Sequence, residues 1–130
     1  MNKILLTLLI SLSTLFSAMT KESISQEFLR KNIKIFDIRT AGEWKQTGII
    51  KGSIPLTFFN EQGQYDVQHF VKELNLHLKQ GESFALICAS GSRTHLVGTF
   101  LGKNGFNVID LTGGIMRAMQ AGIALSPYTK

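Results

Sequence analysis

A chain of 130 residues, 44% of them hydrophobic, suits a single domain. The formal net charge is +5, and taking away the first 18 residues, which hold one Lys and no acid, leaves +4. Basic residues such as the lysines at 31, 34, 45, 51, 72, 79 and 103 are scattered, with no basic run and no interleaved aromatic stripe, which argues against a nucleic-acid-binding protein. A mild positive field of this kind favours small anionic substrates. Cys88 is the single cysteine and excludes an intrachain disulfide. His69, His77 and His95 show no metal-ligand spacing, so no metal is expected.

Residues 1–18 read as an export signal. Lys3 gives a short positive start, and Ile4 to Phe16 is a mostly apolar stretch of 13 residues. A membrane span needs roughly 20. Ser17 and Ala18 offer small residues for cleavage, although bulky Phe16 is a poor fit two places before Ala18. An uncleaved N-terminal anchor is the alternative, and it would be the chain's only link to a membrane. Export predicts a periplasmic location, where an unpaired thiol is a liability unless shielded or used.

The rest of the chain alternates between strand and helix patterns. Residues 20–31 are predicted to contain a short helix that Ser25 can cap, with Phe28 and Leu29 facing inward. Ile33 to Ile38 predicts a strand, and Asp37 and Arg39 at its C-terminal end are expected to tie down the loop that follows. Ile54 to Leu56 predicts a short strand limited by Pro55. Asp66 can cap a helix in which Val67, Phe70, Val71, Leu74 and Leu78 recur at i, i+3, i+4, i+7 and i+11. Gly81 is expected to stop it. A strand over 84–87, a loop over 88–93 and a helix to about 103 follow, with Leu96, Val97, Phe100 and Leu101 on its inner face. Val108 to Leu111 is another strand, and a last helix runs from Thr112-Gly113-Gly114 to about Ala121. Such alternation predicts a three-layer α/β sandwich: a mostly parallel sheet of about five strands with helices on both faces.

The stretch that carries chemistry is Phe84-Ala-Leu-Ile-Cys-Ala-Ser-Gly-Ser-Arg93. Cys88 ends an apolar strand. Ala89, Ser90, Gly91 and Ser92 are small enough for a tight loop, and Arg93 closes it. A cysteine at the mouth of a loop entering a helix meets unpaired N–H groups and the positive end of the helix dipole. That setting lowers a thiol pKa from about 8.5 and favours the reactive thiolate. Consecutive N–H donors also form an anion nest, and an Arg fork suits an oxyanion. The plainer alternative is an inert buried thiol. The glycine, the small residues and the arginine at this spacing favour a nucleophile.

These motifs together resemble the rhodanese family, in particular its single-domain sulfurtransferases, over about residues 22–125. Asp37-Ile-Arg39 followed by Glu43-Trp44 is similar to the family's Asp-x-Arg-x-x-x-Glu-aromatic signature. Gly48 to Ile54 is similar to its Gly-His-Ile-x-Gly-Ala stretch, and Cys88 to Arg93 to its active-site loop. Gly105-Phe106, Leu111-x-Gly113-Gly114 and Ala121-Gly122 match its downstream signatures. Ile49 replaces the usual His and Ala118 a frequent Trp, both at packing positions.

The resemblance implies a Cys88 persulfide mechanism. Cys88 takes a sulfane sulfur from a small sulfur anion such as thiosulfate and hands it to cyanide, a thiol or a protein acceptor. The N–H groups of Ala89, Ser90, Gly91, Ser92 and Arg93 would hold the persulfide and Arg93 the donor's oxyanion. Asp37 and Arg39 keep a structural part, and no cofactor is implied. Two alternatives stand beside this one. The protein is a persulfide or polysulfide carrier with the same residues, or it is a Cys-dependent phosphatase or arsenate reductase, whose Cys-to-Arg loop is one residue longer.

Overall fold

The computed structural model of the protein describes residues 18–129. The expected export signal, Ala18 apart, lies outside the described residues. Strand β1 (Met19–Ser23) leads into helix α1 (Gln26–Arg30), β2 (Ile35–Asp37), α2 (Ala41–Thr47), β3 (Ile49–Ile50) and β4 (Ile54–Pro55). Then come α3 (Val67–His77), β5 (Phe84–Ile87), α4 (Ser92–Lys103), β6 (Val108–Thr112), α5 (Gly114–Gln120) and β7 (Leu125–Ser126). Five strands form one parallel sheet in the order β1-β6-β5-β2-β4. β3 and β7 pair antiparallel in a separate ribbon.

The sheet is covered on both faces, as the alternation predicts, and the period-2 rule assigns the residues. Phe84 and Leu86 of β5, and Cys88 just after it, point into a core made with Phe70 and Leu74 of α3 and Val97 and Leu101 of α4. Ala85 and Ile87 point the other way, toward Phe28 of α1 and Ile115 and Ala118 of α5. All four residues of β5 are buried, as expected of a central parallel strand. Full burial of one such Leu or Phe side chain is worth about 1.5–3 kcal/mol, which is why this strand anchors the domain.

Local chemistry sets the helix starts. The Ser25 hydroxyl accepts the Phe28 N–H at 3.0 Å, and an Asp66 carboxylate oxygen accepts the His69 N–H at 3.1 Å. Thr40 and Glu43 form a capping box on α2. α3 ends at His77, four residues before Gly81; that glycine, at φ +78°, shapes the turn into β5.

Three features differ from what the sequence predicts. Residues 19–23 form a strand that no sequence pattern predicts, ahead of the Ser25-capped helix: Met19 to Ser23 pair in register with Val108 to Thr112. The sequence Met-Thr-Lys-Glu-Ser has no strand pattern of its own; it is an edge strand specified by its neighbours. Gly98 and Gly102 give α4 the close approach this needs, since a Cβ on Gly102 would lie 2.7 Å from the Met19 nitrogen. Leu96 and Phe100 face outward, 61% and 40% exposed; the inner face of α4 is Thr94, Val97, Gly98, Leu101 and Gly102. Small residues carry that face because the helix lies so close to the sheet. Finally, the loop after Cys88 is shorter than expected, because α4 already begins at Ser92.

Candidate active site

Cys88 follows β5, third of the five strands in the sheet, at its C-terminal end, where open α/β sheets bind ligands. The chain turns through Ala89, Ser90 and Gly91 and enters α4 at Ser92. Gly91, at φ +109°, occupies the N-cap position without a side-chain cap. Its N–H donates to the Cys88 Sγ at 3.2 Å, closing the turn over the sulfur. The Gly91 carbonyl accepts the His95 N–H at 3.2 Å, the first backbone bond of α4. The N–H groups of Ser92, Arg93 and Thr94 precede any such acceptor, so the first turn presents donors and the positive dipole end beside the cysteine.

The sulfur is fully buried. Its second polar neighbour is the Thr94 Oγ1, 3.5 Å away, which in turn lies 2.6 Å from Asp110 Oδ1 on β6. Neither residue stood out in the sequence. Thr94 lies in the first turn of α4 and Asp110 in an apolar strand, where only their placement side by side gives them meaning.

The turn is held from above by the start of α5. Ile115 N–H donates to the Cys88 carbonyl at 2.8 Å and Met116 N–H to the Ala89 carbonyl at 3.0 Å. Gly114, at φ +60°, lies so near that a Cβ there would run into both carbonyl oxygens. Gly113-Gly114 is thus the lid on the cysteine turn, which gives the glycine pair in the sequence a physical reason.

Arg93 reaches Glu43 on α2. Its two terminal nitrogens donate to Glu43 Oε1 and Oε2 at 2.7 and 2.8 Å, a bidentate pair about a quarter to a third exposed. The Arg93 hydrogen bonds hold the Glu43 carboxyl down from 4.5 to about 2, against a smaller opposing cost of burial. The same Glu43 hydrogen bonds raise Arg93 above its ordinary value, against a smaller opposing cost of burial. Glu43 therefore belongs with the expected site residues. Its place in the Glu-aromatic signature was the available signal, but nothing in the sequence joined it to a residue fifty positions on.

Asp37 and Arg39 form a different kind of pair. Both are buried, at 0% and 1% exposure. Arg39 Nε and a terminal nitrogen donate to Asp37 at 2.9–3.3 Å, and the rest of the fork donates to Thr47 Oγ1 at 2.9 Å and the Gly48 carbonyl at 3.0 Å. The guanidinium stitches the end of β2 to the end of α2, and its hydrogen bonds are spent on the fold. By positioning α2 it sets where Glu43 meets Arg93.

A parallel α/β sheet with a cysteine turn at the end of a central strand, running directly into a helix N-terminus, defines a class of thiol anion-loop proteins. The chain belongs to the rhodanese-like family: the Rhodanese-like domain matches residues 20–121. No curated protein matches the sequence. Among solved structures it is similar to a rhodanese-related protein from Thermoplasma volcanium, with 24% identity, TM-score 0.62, and 82% of this chain and 99% of that one covered. It is also similar to a rhodanese-like domain protein from Staphylococcus aureus, with 20% identity, TM-score 0.59, and coverage of 84% and 98%. A third neighbour, from Rhodopseudomonas palustris, is a protein of unknown function described as a possible tyrosine phosphatase, with 23% identity, TM-score 0.55, and coverage of 77% and 75%. These likenesses establish the fold.

Proposed function

We propose that the protein is a sulfurtransferase that carries a sulfane sulfur on Cys88. The observation that supports this most is the Gly91 N–H at 3.2 Å from the Cys88 Sγ, in a turn with only four residues between Cys88 and Arg93. That cradle is small and lined by backbone donors, which suits a single anionic sulfur. The Cys88 thiolate attacks the outer sulfur of a donor such as thiosulfate. A bond forms between Cys88 Sγ and that sulfur; the donor's S–S bond breaks, and sulfite leaves with the electron pair. Cyanide, a thiol or a protein acceptor then takes the sulfur and restores the thiolate. A donor oxyanion competes with the Glu43 carboxylate for the Arg93 fork, so donor binding loosens that ion pair. With a leader at residues 1–18, the site operates outside the cytoplasm, and the same persulfide serves carriage between partners as well as turnover.

Intact mass spectrometry after incubation with thiosulfate tests the reading: the chain gains one sulfur atom, and Cys88→Ala gains none. No gain with any of several donors would refute it. The Rhodopseudomonas palustris neighbour's description raises a second reading, a phosphatase. Cys88-dependent hydrolysis of a phosphotyrosine analogue, without sulfur uptake, would establish that one instead.

A further inference from the structure

Beside the sulfur lies a buried carboxylate that the sulfur-transfer scheme leaves unused. Asp110 is 2% exposed, and register sets it beside Leu86, on the sheet face shared with Cys88. Among the described residues its hydrogen-bond partner is the Thr94 hydroxyl, at 2.6 Å. The Thr94 Oγ1 also lies 3.2 Å from the Gly91 carbonyl and 3.5 Å from Cys88 Sγ. A threonine hydroxyl has one hydrogen to give. While Asp110 is ionised, the short bond to its carboxylate claims that hydrogen. What Thr94 then offers the cysteine is a lone pair, to which a thiol S–H can donate. When Asp110 carries a proton the order reverses: Asp110 donates to Thr94, and the Thr94 hydrogen turns to the sulfur and stabilises a thiolate.

We propose that Asp110 takes the Cys88 proton through the Thr94 hydroxyl as the thiolate forms. The Cys88 S–H bond breaks and its proton passes to Thr94 Oγ1. The proton of Thr94 passes to Asp110 Oδ1. No oxidant or reductant takes part, and one negative charge moves from carboxylate to sulfur. The pocket holds a single buried anion before and after, which avoids the desolvation cost of a second. Other charged groups around the relay do not replace Asp110. Lys21 sits opposite it in register on β1 but is exposed and makes no ion pair with it. Arg93, the residue before Thr94, is bound to Glu43. Asp110 acts through Thr94 and is in that sense a positioning residue. The inference rests on Cys88 being the nucleophile of the proposed function, but on no particular donor.

The test is the far-ultraviolet thiolate absorbance of the full chain titrated with pH, with Cys88→Ser as the blank. A shared proton makes the thiolate appear in two steps, one as the pair loses its first proton and one as it loses its second. Asp110→Asn collapses these to one step. Thr94→Val loses the low-pH step, and Thr94→Ser restores it. A single step in the wild type, or two steps retained in Asp110→Asn or Thr94→Val, would overturn the relay. If Asp110→Asn does not fold, the Thr94→Val and Thr94→Ser pair decides. Sulfur uptake measured on the same samples separates the two proposals. Two-step titration without uptake from any donor sinks the sulfurtransferase reading alone, and uptake with one-step titration sinks the relay alone.

Discussion

Replacing Gly114 by alanine should damage the cysteine turn more than its chemistry suggests. A non-glycine residue at φ +60° costs about 1–3 kcal/mol in backbone strain. The added Cβ would also collide with the Cys88 and Ala89 carbonyl oxygens, which are backbone and cannot swing aside. Relieving the clash means releasing the bonds from Ile115 N–H and Met116 N–H to those carbonyls, at about 1 kcal/mol each. The sum is about 3–5 kcal/mol, a large share of the 5–15 kcal/mol typical of a domain. Gly122→Ala provides the control. Gly122 has a similar φ of +74°, but its Cβ would meet nothing within 4 Å, so only the backbone strain is added. Urea unfolding with unchanged m-values measures both, and sulfur uptake from thiosulfate measures the site. The expected result is a Gly114→Ala loss at least 2 kcal/mol (about two hydrogen bonds) larger than that of Gly122→Ala, with uptake impaired. Equal losses, or full uptake by Gly114→Ala, would refute the idea that α5 holds the turn.

The other predictions follow from the two ion pairs and from the α4 glycines. The folded pKa of Glu43 lies below its ordinary value, so its ionised form stabilises the fold above about pH 4.5, and that contribution is lost as pH falls toward about 2. Thermal melts across that window should show Glu43→Gln with a flatter acid limb, and parallel limbs would contradict the assignment. Arg39→Met should cost about 3–5 kcal/mol in urea unfolding because it strands the buried Asp37 carboxylate. Arg93→Ala, at a partly exposed pair, should cost no more than about 1 kcal/mol while slowing sulfur uptake from thiosulfate; unchanged uptake kinetics would remove Arg93 from donor binding. Gly102→Ala should cost about 1–3 kcal/mol by forcing α4 away from the Met19 backbone, and a neutral result in the same urea assay would argue against that close packing.

Much of the protein is legible in its sequence because the signals are local. The apolar run at 84–87, the caps Ser25 and Asp66, the helical spacing from Val67 to Leu74 and the small residues after Cys88 each act within a few positions of themselves. They determine the parallel α/β alternation and the place of the cysteine turn within it. Tertiary structure decided whatever depends on residues far apart in the chain. β1 is a strand because β6 offers it an edge and two glycines let α4 come close, not because Met19 to Ser23 favour extension. Leu96 and Phe100 face outward because α4 turns Val97, Leu101 and the two glycines of the close approach toward the sheet. Glu43 reaches Arg93, and Asp110 reaches Cys88 through Thr94, only once separate strands and helices are brought to one end of the sheet. Charge pairing and proton sharing act over a few ångströms in space, and the order of residues along the chain carries no record of those distances.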